Sequence, residues 1–208
     1  MVRRWRADEP GTTERRNAKL IMKSKLKIVL VFFASLVLAF FVMVSLRPAD
    51  FRVTRSATFA ARPEVVFAQV NDLKKWNGWS PWAKLDPNAK NTFSGPSAGV
   101  GAGFAWAGNS EVGEGRMTIT ESKANEAILM KLEFVKPFEA VNTTEFTFKP
   151  EGNSTTVTWS MFGKNNFMSK AVDLFIDCDQ MVGGQFEKGL ADLKTIVEMN
   201  SAEKPSSK

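Results

Sequence analysis

The sequence predicts an α+β protein in which one apolar helix near the N-terminus precedes a domain of about 150 residues, built as an antiparallel meander followed by a long helix. Three observations predict it. Ile28 to Leu46 runs for 19 residues without a charge; segments between Phe51 and Phe162 alternate apolar and polar residues; and apolar residues recur at three- and four-residue spacing between Asn166 and Met199.

The first element is the apolar run IVLVFFASLVLAFFVMVSL. At 1.5 Å per residue it makes a helix of about 28 Å, close to the thickness of a bilayer's hydrocarbon core. Lys23, Lys25 and Lys27 crowd its N-terminal end and Arg47-Pro48 closes the other. By the positive-inside rule the N-terminus is cytoplasmic, and the domain lies on the periplasmic or extracellular side of the inner membrane. A cleaved secretory leader is the competing reading, but its apolar core is shorter and ends in a small-x-small site, which Val44-Ser45-Leu46-Arg47 does not offer.

Residues 1 to 27 form a basic segment with nine basic and three acidic side chains, which accounts for the whole formal charge of +6. The remainder is neutral, with no cluster of Lys and Arg to follow a phosphate backbone, so nucleic acid is not an expected partner. Met22-Lys-Ser-Lys-Leu-Lys has the form of a start of its own, and no functional reading rests on residues 1 to 21.

In the domain, residues 51 to 199, Phe51 to Phe59 reads as a half-buried strand. Arg62-Pro63-Glu64 opens a short helix whose apolar face is Val65, Val66, Phe67 and Val70. Trp76-Asn-Gly-Trp79-Ser-Pro-Trp82 then places three of the six tryptophans in a loop or helical turn interrupted by Gly78 and Pro81. Strands are expected at Gly103 to Gly108, Gly115 to Glu121, Ala127 to Val135, Ala140 to Lys149 and Thr155 to Phe162. One long amphipathic helix follows from near Asn166, with Val182, Phe186, Leu190, Leu193, Ile196 and Val197 on its apolar face. Gly183-Gly184 interrupts it at a cost of about 2 kcal/mol in helix propensity, which calls for a kink or a close backbone contact. Residues 200 to 208 are polar and expected to be disordered.

Composition narrows the chemistry. The chain has no histidine and no tyrosine, which removes the imidazole base, the commonest metal ligand and the phenolic acid. Cys178 is the one cysteine, so no intramolecular disulfide, zinc site or Cys-His nucleophile is expected, and no cofactor. Asp177 and Asp179 flank that thiol and oppose formation of its thiolate. Carboxylates remain for acid/base work, chiefly Glu111, Glu114, Glu133, Asp177 and Asp179, without diagnostic spacing. Gly99-Val-Gly101-Ala-Gly103 lacks the strand and lysine of a phosphate loop and reads as a turn. Asn142-Thr-Thr and Asn153-Ser-Thr match the glycosylation pattern, which recurs by chance.

The residues Trp76-x-x-Trp79-Ser-Pro-Trp82 with Asp86-Pro87, then Phe93-Ser-Gly95, Gly99-Val-Gly101, Trp106-x-Gly108-Asn109, Gly113-x-Gly115 and Gly189-Leu190-Ala191-x-Leu193-Lys194, resemble bacterial members of the START-like superfamily, the SRPBCC or polyketide cyclase/dehydrase proteins. The resemblance covers Phe51 to about Met199. It implies a helix-grip fold, a curved antiparallel sheet around the long C-terminal helix, and between them an apolar cavity that in relatives takes lipids, sterols, polyketides or plant hormones. None of these residues is a catalytic signature.

Alternating strand residues Phe104, Trp106, Met117, Ile119, Met130, Leu132, Phe134, Trp159 and Met161 fall on one face, where they serve either as ordinary core or as a ligand wall. Trp79, Trp82 and Met181 join the candidate wall. The tryptophan cluster has three possible places: the cavity mouth, the membrane interface, or the core beneath the first domain helix. The expected function is a noncatalytic, membrane-anchored binding or carrier domain for a hydrophobic small molecule or lipid. Its alternatives are a protein-interaction module at the envelope and a cyclase- or dehydratase-like enzyme using cavity carboxylates.

Overall fold

The structure, a computed structural model, describes residues 11 to 202; the first ten residues and most of the expected polar tail lie outside the described residues. The chain divides into two compact units at Arg47/Pro48. The first is a single helix, α1 (Thr12–Ser45), longer than the apolar run because the basic residues before it continue the same helix. Most of its apolar side chains stand exposed, with Val44 the buried exception. Ser35 and Ser45 donate back to the carbonyls of Val31 and Phe41, each at 2.8 Å, so these hydroxyls are satisfied inside the helix. Among the described residues α1 is the helix long and apolar enough to cross a membrane, with a mean hydropathy of 2.9 in its most apolar window.

The second unit is a curved seven-stranded antiparallel sheet with helices on its inner face. The strands are β1 (Asp50–Phe59), β2 (Lys90–Ser94), β3 (Gly103–Ala107), β4 (Glu114–Lys123), β5 (Ala127–Lys136), β6 (Ala140–Glu151) and β7 (Ser154–Lys164), in spatial order β1-β7-β6-β5-β4-β3-β2. Between β1 and β2 come α2 (Pro63–Val70), a 3-10 turn (Leu73–Gly78) and α3 (Pro81–Leu85); after β7 come α4 (Phe167–Val172) and α5 (Cys178–Ala202). This is the expected helix-grip arrangement.

Two details depart from the sequence reading. The edge strand β2 was not expected, because only Phe93 in it is apolar and its flanks face solvent. The final helix is broken: α4 ends at Asp173, and α5 starts anew where Asp177 accepts from the backbone N–H of Gln180 at 2.9 Å. The run Leu174-Phe175-Ile176 keeps apolar character across the break and hides it in the sequence.

Register fixes which residues share the inner face. Phe93, Phe104, Met117, Leu132, Asn142, Gly163 and Phe51 stand opposite one another across the whole sheet. The neighbouring row holds Ile119, Met130, Thr144, Met161 and Val53, and the next contains Ile128, Phe146, Trp159 and Arg55. α5 packs along β1 through Phe186, Leu190, Leu193 and Val197, which are buried at four-, three- and four-residue spacing.

Candidate functional site

The centre of the inner face is filled. Trp159 lies between Phe186, with ring centroids 4.1 Å apart, and Phe146, at 4.8 Å, both stacked. Trp79 meets Trp159 edge-on at 5.7 Å and lies 4.5 Å from Trp76. Trp76 and Trp79 therefore occupy the core beneath α2, and Trp82, half-buried, meets Trp159 and Phe186 edge-on. Burial demands an acceptor for each indole, and Trp76 finds one in the Val70 carbonyl at 2.9 Å. Trp79 and Trp159 do not: both Nε1 atoms are buried without a hydrogen-bond partner. An unmade buried hydrogen bond costs about 1–3 kcal/mol. Surrounding rings met edge to face offset part of that cost, since such an arrangement is favourable in itself.

The candidate wall thus falls into two groups. Trp79, Met117, Met130, Trp159 and Met161 are buried in the continuous core. Phe104, Trp106, Leu132 and Phe134 are half-buried, on the half of the sheet beyond α5. There Phe93, Phe104 and Trp106 stack in succession at 5.2 and 5.8 Å, and Phe134 meets Trp106 edge-on at 6.1 Å. Gly115 makes this ladder possible. Trp106 lies across β4 at that point, and a Cβ on residue 115 would run into both its ring and the Glu133 carbonyl oxygen. Met181 stands apart from both groups, exposed at the start of α5.

Two polar side chains on the same face were missed by sequence reasoning. Asn142 and Thr144 alternate with outward residues in β6, in the inward register of Phe146 and Phe148, and both are buried. The signal was legible: a polar residue at an inward position of a period-two strand. Asn142 sits in the row of Phe104, Met117 and Leu132, so an otherwise apolar wall carries one amide. A concavity of about 320 Å³ also opens at the β2–β3 turn, lined by Leu73, Phe93, Pro96 and Ala102 among others.

The acids do not converge on this wall. Glu133 is on the opposite face of β5, bonded to Arg116 at 2.8 Å and to Lys131 at 2.9 Å, and these two cations hold its carboxyl down to about 2. Glu114 pairs with Lys136 at 2.7 Å, Asp177 caps α5, and Glu111 is exposed. Among the described residues no cluster of acids, cysteine and histidine could hold a metal.

Asp179 belongs to a latch that joins α5 to β1. Arg55, inward on β1, donates to Asp179 Oδ2 at 2.9 Å and to Glu187 Oε1 at 2.8 Å, and Gly183 gives its guanidinium room. This close contact accounts for Gly183 alone, since a Cβ at Gly184 would meet nothing within 4 Å. The hydrogen bond from Arg55 lowers the Asp179 pKa, so its contribution to stability is present above the ordinary aspartate range and is lost as pH falls through the folded value. Protection from backbone hydrogen exchange over Cys178 to Glu187, taken relative to the intrinsic exchange rate at each pH, is therefore expected to fall below about pH 4, the ordinary aspartate range, and to show no such fall in Arg55→Met. An equal loss of protection in both proteins would exclude the latch.

Cys178 is half-buried. Burial, then the hydrogen bond with Asp173, then the charges of Asp173 and Asp177, push its thiol up to about 11, while Asp179 is turned away to Arg55. Alkylation rates are expected to keep rising with pH towards about 11. A plateau near the ordinary thiol range would contradict this environment.

The fold and wall define a helix-grip domain with an apolar inner face and no assembled acid/base group. The chain belongs to the polyketide cyclase/dehydrase and lipid transport family, whose model matches residues 50–198. Solved structures of the same fold include protein CV1439 from Chromobacterium violaceum, at 16% identity and a TM-score of 0.52, covering 73% of this chain and 99% of that one. Protein MLL2253 from Mesorhizobium loti matches at 12% identity and 0.53, over 72% and 98% of the two chains. The Aha1 dimer from Colwellia psychrerythraea matches at 14% and 0.51, over 71% and 96%. No curated protein matches the sequence. Asp86, one of the motif residues, accepts from the backbone N–H of Asn109 at 2.7 Å and so holds the β3–β4 loop.

Proposed function

We propose that this chain is a membrane-tethered, noncatalytic binding domain for a lipid or similar hydrophobic small molecule, held in the half-open strip of inner wall formed by Phe104, Trp106, Leu132 and Phe134. The observation that carries the reading is this strip: an aromatic and aliphatic surface inside the sheet, beyond the helix that fills the rest. Asn142 supplies one polar group in an apolar wall, the composition of a site that orients an amphipathic ligand. Covering about 300 Å² of ligand surface at about 25 cal/mol per Å² contributes about 7 kcal/mol before ordering costs, enough for retention without any chemical step.

The five acids considered for catalysis are paired, capping or solvent-facing, which favours binding over turnover. α1 serves as the tether, with its N-terminal lysines in the cytoplasm and the domain outside the inner membrane; its exposed apolar surface and internally bonded serines support that reading.

Leu132→Arg places a cation in the centre of the strip. Full-length protein purified in mild detergent is expected to retain a hydrophobic molecule by mass spectrometry of its extract, and the Leu132→Arg variant to lose it with its circular dichroism unchanged. The same molecules in both samples, in the same ratio to protein, would rule out this strip as the site.

A further inference from the structure

The domain's exposed large apolar side chains are not scattered. Apart from Leu85, Val100 and Met199, all those among the described residues lie near the β5–β6 turn or between the start of α4 and the first turn of α5. Phe138 is 62% exposed, Val141 59%, Met168 54% and Phe175 80%. Leaving such side chains in water is unfavourable, and exposed apolar side chains gathered at one end of a domain mark an interaction surface.

Register places this rim. Asp50 pairs with Lys164 and Asn142 with Gly163, and the Asn165 N–H bonds the Ala49 carbonyl at 2.7 Å. The start of β1, the β5–β6 turn and the entry to α4 therefore share one end of the sheet. That end is where the chain leaves the apolar run, since only Arg47, Pro48 and Ala49 separate Leu46 from β1. Three residues reach about 10 Å and headgroup layers are about 5–8 Å thick, so a span ending at Leu46 holds this edge at the lipid surface. The row formed by Trp106, Gly115, Phe134 and Ala140 is at this same end.

We propose that the β5–β6 turn and the α4–α5 connection form a bilayer-docking rim, with Phe138, Val141, Met168, Phe175 and Ile176 entering the headgroup region. The open end of the Phe104–Trp106–Phe134 wall then faces the lipid. A ligand passes between bilayer and wall without crossing water. The inference rests on α1 being a membrane span, as proposed above.

The test uses the full chain with Cys178→Ser and one new cysteine carrying an environment-sensitive fluorophore, in phosphatidylcholine vesicles containing lipids doxyl-labelled near the headgroup or deep in the acyl chain. Labels replace Phe138 or Phe175 at the rim, Asn153 at the opposite end of the sheet, and Phe33 in α1. Rim labels are expected to show blue-shifted emission and strong quenching by the shallow doxyl group, with the Asn153 label unquenched. The Phe33 label is expected to be quenched by the deep group. If Phe33 is quenched while both rim labels behave like Asn153, docking is overturned and the tether stands. An unquenched Phe33 label removes the tether and docking together. Blue-shifted rim labels without doxyl quenching assign the rim to a protein contact, against the proposal.

Discussion

Trp159→Ala is expected to cost about 3–5 kcal/mol, the range for deleting a large buried aromatic side chain, and in a domain of this size to lower Tm by about 10 °C. The residue is 2% exposed and has Phe186 stacked on one side and Phe146 on the other, so its removal opens the junction of β6, β7 and α5 at once. Gly189 passes against its ring, which keeps the helix backbone too close to collapse into the gap without moving as a whole. Trp159→Phe keeps the stack and removes a buried indole N–H that has no acceptor, so it should be clearly milder. Thermal unfolding of full-length protein in detergent checks both, and an alanine variant as stable as the parent would show that the aromatic column does not organise the core.

Gly115→Val combines a stability effect with a functional one. Its Cβ meets the Trp106 ring and the Glu133 carbonyl oxygen, and the second is backbone in a paired strand that cannot swing aside. Overpacking of this kind costs about 1–3 kcal/mol. Displacing Trp106 also separates it from Phe134 and breaks the half-open strip. Adding Trp106→Ala to Gly115→Val should recover part of the stability and none of the ligand retention. Full recovery of both would place ligand binding elsewhere.

Much of the fold was legible because the inner-face residues repeat every second position and α5 repeats at three and four. Met117, Trp159, Met130 and Ile119 are buried where alternation put them. What escaped lay where a local pattern carried two meanings. Arg55 shares the inward parity of Phe51, Val53, Ala57 and Phe59, yet within an alternating strand it read as one more polar position, and its acidic partners stand on α5 far along the chain. Asn142 matched a glycosylation pattern that carries no information about side-chain direction. Phe175 and Ile176 continued the apolar spacing of a helix that stops before them, because an exposed apolar connection between two helices carries the same sequence signal as a buried helix face.

The inner-face residues were legible as a list, but not their division into buried core and half-buried strip. That division depends on which strands α5 covers, a property of sheet curvature and helix placement that no single strand's pattern encodes.

The most direct measurement is photocrosslinking in living cells, with a benzophenone amino acid replacing Phe134 on the inner wall or Thr118 on the outer face. A hydrophobic molecule occupying the strip predicts a covalent lipid-mass adduct at position 134 and none at position 118. An unmodified chain at 134, or equal adducts at both positions, would contradict the binding function proposed for this wall.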